Sequence, residues 1–364
     1  METQIQKAEL VTALGTVIGG VSSKTTLPIL SNILIETVTP GEVEFTATDL
    51  EISLSTRAVS KNIKEGAVTV PARKFYEIIR ELEGGEVIVT VAKNNAVNIR
   101  TEKTHCRIMG LGKEDFPKRP AMDTTNSIEL DQKILKDCLT LTSFAISHDE
   151  TRHVLNGVLI VVSQNKIKFA ATDGRRLAYI EREIEFNNQN QIEIIIPAKT
   201  VTELNKILSV GSLKITTTQN QAAFETSKTL LISRLIEGQF PNYEQVIPKE
   251  EKTTTVVSKQ NLLAAVRRAS LFTSQETQAV KFDFVKNKIL ISAHSPNLGE
   301  VKEEVEAKVA GDDLSIGFNP TYLLDALKNL DDDHVSLSLS KPDKPGLLKA
   351  EGNYLYVVMP MQIS

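Results

Sequence analysis

Apolar side chains alternate at Val43, Phe45 and Ala47 in VEFTAT (43–48), again at Ile167, Phe169 and Ala171 in IKFAAT (167–172), and again at Ile289, Ile291 and Ala293 in ILISAH (289–294). A period of two predicts a strand with one buried face, and three strings in register predict an internal repeat. A proline-started amphipathic segment follows each string: PARKFYEIIREL from Pro71, PAKTVTELNKIL from Pro197 and PTYLLDALKNL from Pro320. Phe75, Ile78, Ile79 and Leu82 form one helix face, as do Val201, Leu204, Ile207 and Leu208, and Leu323, Leu324, Leu327 and Leu330. Proline suits the first turn of each, so three short helices are predicted. Alternating strands come next at Val87, Val89 and Val91, at Leu213 and Ile215, and at Val335, Leu337 and Leu339.

Each unit also opens with a helical pattern, at Leu10, Val11, Leu14, Val17 and Ile18, at Ile134, Leu135, Cys138 and Leu139, and at Leu262, Leu263, Val266 and Ala269. Phe116-Pro117, Phe240-Pro241 and Met359-Pro360 mark equivalent places near the unit ends. The fold class is therefore α+β, in three repeated helix-strand domains, with expected limits 1–125, 126–252 and 253–364.

Composition changes this picture little. No long apolar run and no basic, then apolar, then small-residue leader is present, so the expectation is a cytoplasmic protein without a membrane partner. Cys106 and Cys138 are the only cysteines and form no C-x-x-C pair, which gives no sign of structural zinc or a disulfide framework.

Charge changes it more. The net charge of −4 argues against nucleic acid if it is evenly spread. It is not evenly spread. Helices placed at 7–24, 71–82, 131–147, 197–208, 258–272 and 320–330 hold thirteen Lys or Arg against seven Asp or Glu, which leaves the remainder strongly negative. Positive helices among negative strands fit a protein that presents helices to something anionic.

The chain is similar along its whole length to the bacterial DNA polymerase sliding-clamp family. The strings that carry the resemblance are LPILSN (27–32), TATDLE (46–51), VPARKF (70–75), LNG (155–157), ATDGRRLA (171–178), EGQFPNY (237–243) and YVVMPM (356–361). The resemblance implies the DNA clamp fold and a head-to-tail homodimer. Six domains would close a ring, with helices lining the hole and sheets outside. It implies a processivity factor that encircles double-stranded DNA without reading sequence, held by topology and weak phosphate contacts. The implied partners are the DNA polymerase III catalytic subunit, the clamp loader complex and other replication and repair proteins that carry a clamp-binding motif.

By position, the resemblance places DNA contacts on Lys24, Arg73, Lys199 and Arg268. It places a partner-peptide groove on Leu155, Thr172, Gly174, Arg175, Arg176, Leu177, Pro241, Val246, Val357, Met359, Pro360 and Met361. The dimer interface falls on Cys106, Ile108, Leu271 and Phe272. A groove lined by Met and Val, with two arginines at its rim, suits varied peptides. Without the resemblance, Leu177, Val246, Val357 and Met359 would be read as ordinary core; with it, the groove is the favoured reading. The chain departs from the family pattern at Ala198, where a basic residue is common, at Gln245, where Arg is common, and in its Met361-Gln362-Ile363-Ser364 tail.

Enzyme chemistry finds little support. Ser147-His148-Asp149 has the letters of a hydrolase triad, but triad members meet through the fold rather than by adjacency. His105 and Cys106 fall in a strand-like stretch, so they point to opposite faces. Gly19-Gly20 before Lys24 lacks the glycine that a phosphate loop needs before its lysine. Asp331 to Asp333 lack the spaced ligands of a calcium loop. No cofactor or metal is implied. The rival readings are a nucleic-acid enzyme and an interaction module with no DNA role.

Overall fold

The computed structural model describes residues 1–22, 26–122, 127–185, 191–273 and 279–363. Six α-helices occur among them: α1 (Lys7–Val17), α2 (Ala72–Glu81), α3 (Gln132–Thr142), α4 (Ala198–Ile207), α5 (Lys259–Ser270) and α6 (Pro320–Asn329). They come in pairs, one pair per repeat. The three strings that announced the repeat are the strands Glu42–Thr48, Lys166–Thr172 and Lys288–Ser295.

The helix starts follow from local chemistry. Pro71 sits at the N-cap of α2, and Asn319 caps α6 by accepting from the Thr321 N–H at 2.9 Å, with Pro320 in the first turn. The first helix of each repeat ends earlier than the pattern predicts. α1 stops at Val17 and gives way to a short 3-10 turn, Ile18–Gly20, where two glycines weaken the helix.

Each repeat ties its first helix to its second by the same bonds. The N–H of Lys7 donates to Gly85 O at 2.7 Å, that of Gln132 to Gly211 O at 2.9 Å and that of Lys259 to Asp333 O at 2.9 Å. The side chains repeat as well: Lys7 Nζ donates to Leu82 O at 2.5 Å and Lys259 Nζ to Leu330 O at 2.8 Å, each closing the C-terminus of the second helix. These two lysines are thus structural, and the positive balance counted on the helices overstates the charge left for an anion.

The chain forms two compact units, Met1–Lys133 with Thr202–Leu235, and Ile134–Val201 with Ile236–Ser364. In the first unit an eight-stranded sheet runs from the central repeat into the first, with Thr229–Arg234 paired antiparallel to Ile52–Val59. A five-stranded sheet in the same unit ends at the edge strand His105–Met109. In the second unit a twelve-stranded sheet crosses from the central to the last repeat, with Tyr354–Val358 paired to Arg176–Glu183. The core of the first repeat is a cluster that includes Leu10, Leu14, Phe45, Val70, Phe75 and Ile99, drawn from both helices and both sheets.

TATDLE and ATDGRR are one turn written twice. Thr48 Oγ1 donates to Ile52 O and accepts from the Leu50 N–H, while Asp49 Oδ1 accepts from the N–H groups of Glu51 and Ile52. Thr172 and Asp173 make the same four bonds to Arg176, Gly174, Arg175 and Arg176. The third residue has positive φ in both copies, +77° at Leu50 and +86° at Gly174. Glycine takes that conformation freely and leucine does not. Because Leu50 is 45% exposed, little packing is lost without its side chain. Leu50→Gly is expected to raise stability by about 0.5–1 kcal/mol, read as a higher denaturant midpoint at unchanged slope. A lowered midpoint would show that the turn carries no strain.

Candidate functional site

The groove residues converge in the second unit. Strand pairing sets Leu177 opposite Val357 and Arg176 opposite Val358, and the Met359 N–H then donates to Arg175 O at 2.9 Å. Leu155, Leu177 and Val357 are buried with Leu159, Tyr179, Ile195 and Phe240, so they form a floor that is also ordinary core. Val246 and Met359 are 49% and 43% exposed, and Pro241 and Arg175 lie open beside them. Both readings of these apolar residues therefore hold, for different members.

The tail is placed by backbone contacts. The Met361 N–H donates to Gly317 O at 2.8 Å, and a Cβ on Gly317 would come within 2.6 Å of Met361 O, so glycine is required for this approach. Tyr179 and Tyr243 stack with ring centres 5.5 Å apart, and Phe240 meets Tyr243 edge-on at 6.3 Å. Burial, aided by Glu244, Glu193 and Glu181, pushes the Tyr243 phenol up to about 12, so it stays neutral at physiological pH.

Arg176 differs from its expected place at the rim. Its guanidinium bonds Asp173 at 3.0 Å, Asp325 of α6 at 2.7 Å and Phe144 O at 2.7 Å, and it lies over the Tyr322 ring at 4.5 Å. Burial disfavours its charge, but Tyr356, Asp325 and Asp173 outweigh that and hold the pKa above the usual arginine range. Such an arginine has little left to offer a peptide. It locks the strand Arg176–Glu183 to α6 and the segment after α3. Asp173 lies within the repeated Thr-Asp turn, but Asp325, Phe144 and Tyr322 are partners that no local pattern could flag.

The DNA-facing candidates divide. Arg73 on α2 and Lys199 on α4 are exposed. Arg268 on α5 is exposed too, but its fork is closed on both oxygens of Glu303, each at 2.6 Å, which raises its pKa above the ordinary value. Its neighbour Arg267, not picked out by sequence, is exposed and in no ion pair among the described residues. Lys24 lies outside the described residues.

The interface candidates are surface-near. Cys106 and Ile108 pack their inner faces on the first-repeat core from the edge strand His105–Met109, Leu271 is 69% exposed just after α5, and Phe272 is half-buried. Cys138 is different: burial pushes its thiol up to about 12, so it is inert.

Ser147, His148 and Asp149 do not assemble as a triad, since Ser147 Oγ accepts from the Asp149 N–H and the Asp149 carboxylate is taken by Thr151 and Arg152. Asp332 caps the Glu351 N–H, and no cluster that could hold a metal occurs among the described residues. No helix among them is long and apolar enough to cross a membrane.

Family models for the DNA polymerase III beta subunit match the chain in three pieces: the N-terminal domain over residues 1–120, the central domain over 129–242 and the C-terminal domain over 244–362. Among curated relatives, the beta sliding clamp of Chlamydia muridarum is 33% identical over 364 residues, spanning 100% of this chain and 99% of the relative. That of Bacillus subtilis is 31% identical over 376 residues, spanning 100% and 99%. Among solved structures, the DNA polymerase sliding clamp from Bacillus subtilis superposes with a TM-score of 0.95 at 31% identity, and the DNA polymerase III subunit beta from Pseudomonas aeruginosa with 0.94 at 30%, each covering 100% of both chains.

The two arginines of the groove should behave differently. Arg176→Ala leaves Asp173 and Asp325 without their partner and is expected to cost about 3 kcal/mol, whereas Arg175→Ala should stay within about 0.5 kcal/mol. Equal urea midpoints for the two variants would refute the locking role.

Proposed function

The chain belongs to the DNA polymerase III beta-subunit family, the beta sliding clamps, and from that premise we propose that two copies join head to tail in a six-domain ring around duplex DNA. Its work is that of a DNA sliding clamp in replication, and we assign it no catalysis of its own. The observation that supports closure best concerns strand edges. Each internal joint pairs the last strand of one repeat's sheet with a strand of the preceding repeat. One edge of each kind then remains, His105–Met109 in the first repeat and the Gly299–Glu306 stretch in the last. Unpaired edges invite another chain, and unlike edges favour a head-to-tail contact that either closes or grows. Two chains of three domains give the six that a ring requires.

In this reading the exposed basic residues Arg73 and Lys199 face the duplex, with Arg267 added. Arg268, neutralised by Glu303, contributes less. The setting is cytoplasmic. The partners are the polymerase III catalytic subunit, the clamp loader and repair proteins that present a short motif to the groove.

Topology separates encirclement from ordinary phosphate binding. Loaded protein should stay on closed circular DNA at high salt and leave once the circle is cut, because phosphate contacts weaken with salt whatever the topology. Equal loss from circular and linear DNA would reject the ring. On linear duplex, Arg73→Ala and Lys199→Ala should each lower the slope of log affinity against log salt by about 0.9 per contact, about 1.8 for the two copies in a ring; an unchanged slope in both would move the DNA surface elsewhere.

A peptide with glutamine, then leucine and an aromatic residue, should bind the groove near micromolar, or about 8 kcal/mol. Two apolar anchors would supply roughly 3–6 kcal/mol, offset in part by ordering of the peptide, so hydrogen bonds near Met361 must supply the rest. Removal of residues 359–364, or Met361→Asp, should abolish that binding in calorimetry while the dimer and its DNA retention persist. Wild-type affinity in either variant would show that the groove has been misplaced.

A further inference from the structure

The two internal joints have one register. The repeated Thr-Asp turn makes Ile52 equivalent to Arg176, and Ser233 pairs with the first as Val358 pairs with the second. One residue on, the Arg234 N–H donates to Glu51 O and the Met359 N–H to Arg175 O, both at 2.9 Å. The same joint can therefore be written for the two free edges. On one side, the hairpin turn Thr101–Thr104 matches Thr226–Thr229: in each, the first Thr N–H donates to the last Thr O, at 2.9 and 2.8 Å, and the first Thr Oγ1 accepts the last N–H, at 3.2 and 3.0 Å. His105 is thus the equivalent of Leu230, and Cys106 of Leu231. On the other side, Ala293 pairs with Val301 as Ala47 pairs with Leu54. Because Leu231 pairs with Leu54, the third joint would set Cys106 opposite Val301, Arg107 opposite Glu300, His105 opposite Lys302 and Thr104 opposite Glu303.

Three features agree with this register. The first is parity: Cys106 and Ile108 face inward, as do Val301 and Val305, while His105, Arg107, Glu300 and Lys302 face out, and a slip by one residue would break that match. The second is an acceptor for Leu271. Leu271 is the thirteenth residue counted from the start of α5, as Gly19 is from α1 and Phe144 from α3. A Cβ on Gly19 would run into Glu203, and the Phe144 ring lies 5.6 Å from that of Tyr356. Glu203 is the sixth residue of α4, as Glu77 is of α2, and Glu77 lines a cleft of about 660 Å³ with Ile78, Leu82, Thr104 and Cys106. The third is the Thr104 position itself. Its equivalent, Thr229, shares a hydrogen bond with Thr56 between their hydroxyls at 2.8 Å, and Thr56 is the equivalent of Glu303.

We propose that the closing joint adopts this register and that the Thr104 hydroxyl of one copy donates to Glu303 of the other, which makes the Arg268–Glu303 pair part of the joint rather than of the DNA surface. The carboxylate has room for both partners, since the Arg268 fork uses one lone pair on each oxygen. The inference rests on the ring reading and goes beyond it in naming the contacts.

The register is tested by a cysteine. The Arg234–Glu51 and Arg57–Lys228 bonds make Leu231 and Leu54 a non-hydrogen-bonded pair, and the corresponding Cα separation, about 4.5 Å, falls within disulfide range. Val301→Cys, oxidised with diamide, should therefore link through the native Cys106 to give a covalent dimer that Cys106→Ser abolishes. Glu300→Cys and Lys302→Cys should not link. Dimers in sedimentation that link at 300 or 302 but not at 301 would overturn the register and leave the ring standing; monomers at every concentration would overturn both. For the side chains, Thr104→Val and Arg268→Ala should each weaken dimerisation by about 25-fold, roughly fivefold at each of two joints. Combined with Glu303→Gln, Thr104→Val should add little. An Arg268→Ala variant that keeps its dimer constant but lowers the DNA salt slope would return Arg268 to the DNA surface.

Discussion

An unpaired strand edge carries backbone donors and acceptors that must find partners, and the architecture of this chain is a repeated answer to that constraint. Each repeat ends one sheet in an edge that the neighbouring repeat covers, in a register identical at both internal joints. The register is held from below by the Thr-Asp turn, which fixes where the receiving strand begins, and from inside by the alternation of buried and exposed residues. A chain built this way has one edge of each kind left over whatever the number of repeats. The proposed closure would then end the pattern rather than add a feature to it.

The candidate groove inherits its shape from the second joint. Leu177 and Val357 are neighbours because their strands pair, and Met359 leaves the sheet at the point where its N–H still reaches Arg175 O. Arg176 makes this junction stiff. It ties a strand, a helix and the turn after α3 through one guanidinium, so the apolar floor stands on a fixed frame while Val246, Arg175 and Met359 stay open at the surface. In the proposed role, a fixed floor with an adaptable Met side chain at its edge would suit the recognition of short, varied peptides.

What could be read in sequence was whatever repeats or has a short period. The strands at 43–48, 167–172 and 289–294 and the helices behind Pro71, Pro197 and Pro320 belong to that kind, whereas the groove residues are assigned only through resemblance to a family. What could not be read depends on distant partners. Arg176 is a lock because of Asp325, 149 positions away, and Arg268 is neutralised because of Glu303, 35 positions away. Lys7 and Lys259 look like solvated helix charge until their ammonium groups are seen on Leu82 O and Leu330 O. Charge counted along a chain cannot separate a cation that caps a helix from one that waits for phosphate.

The three joints differ in what they place at equivalent positions. Internally the pairs are Ile232 with Ser53 and Val357 with Leu177, apolar or neutral and covered. At the free edges the same position holds Arg107 and Glu300, with His105 and Lys302 beside them, all exposed. The internal joints join segments of one chain, so their effective concentration is high and they need not open. The proposed joint between two chains would assemble from solution and would have to part for the ring to be threaded onto DNA. Exposed opposite charges give direction and register at little net cost in affinity and yield to salt, whereas an apolar edge of the same length would expose an aggregation-prone strand in the free chain. In the proposed ring, the polar character of the two leftover edges would let the closed and the open chain share one sequence.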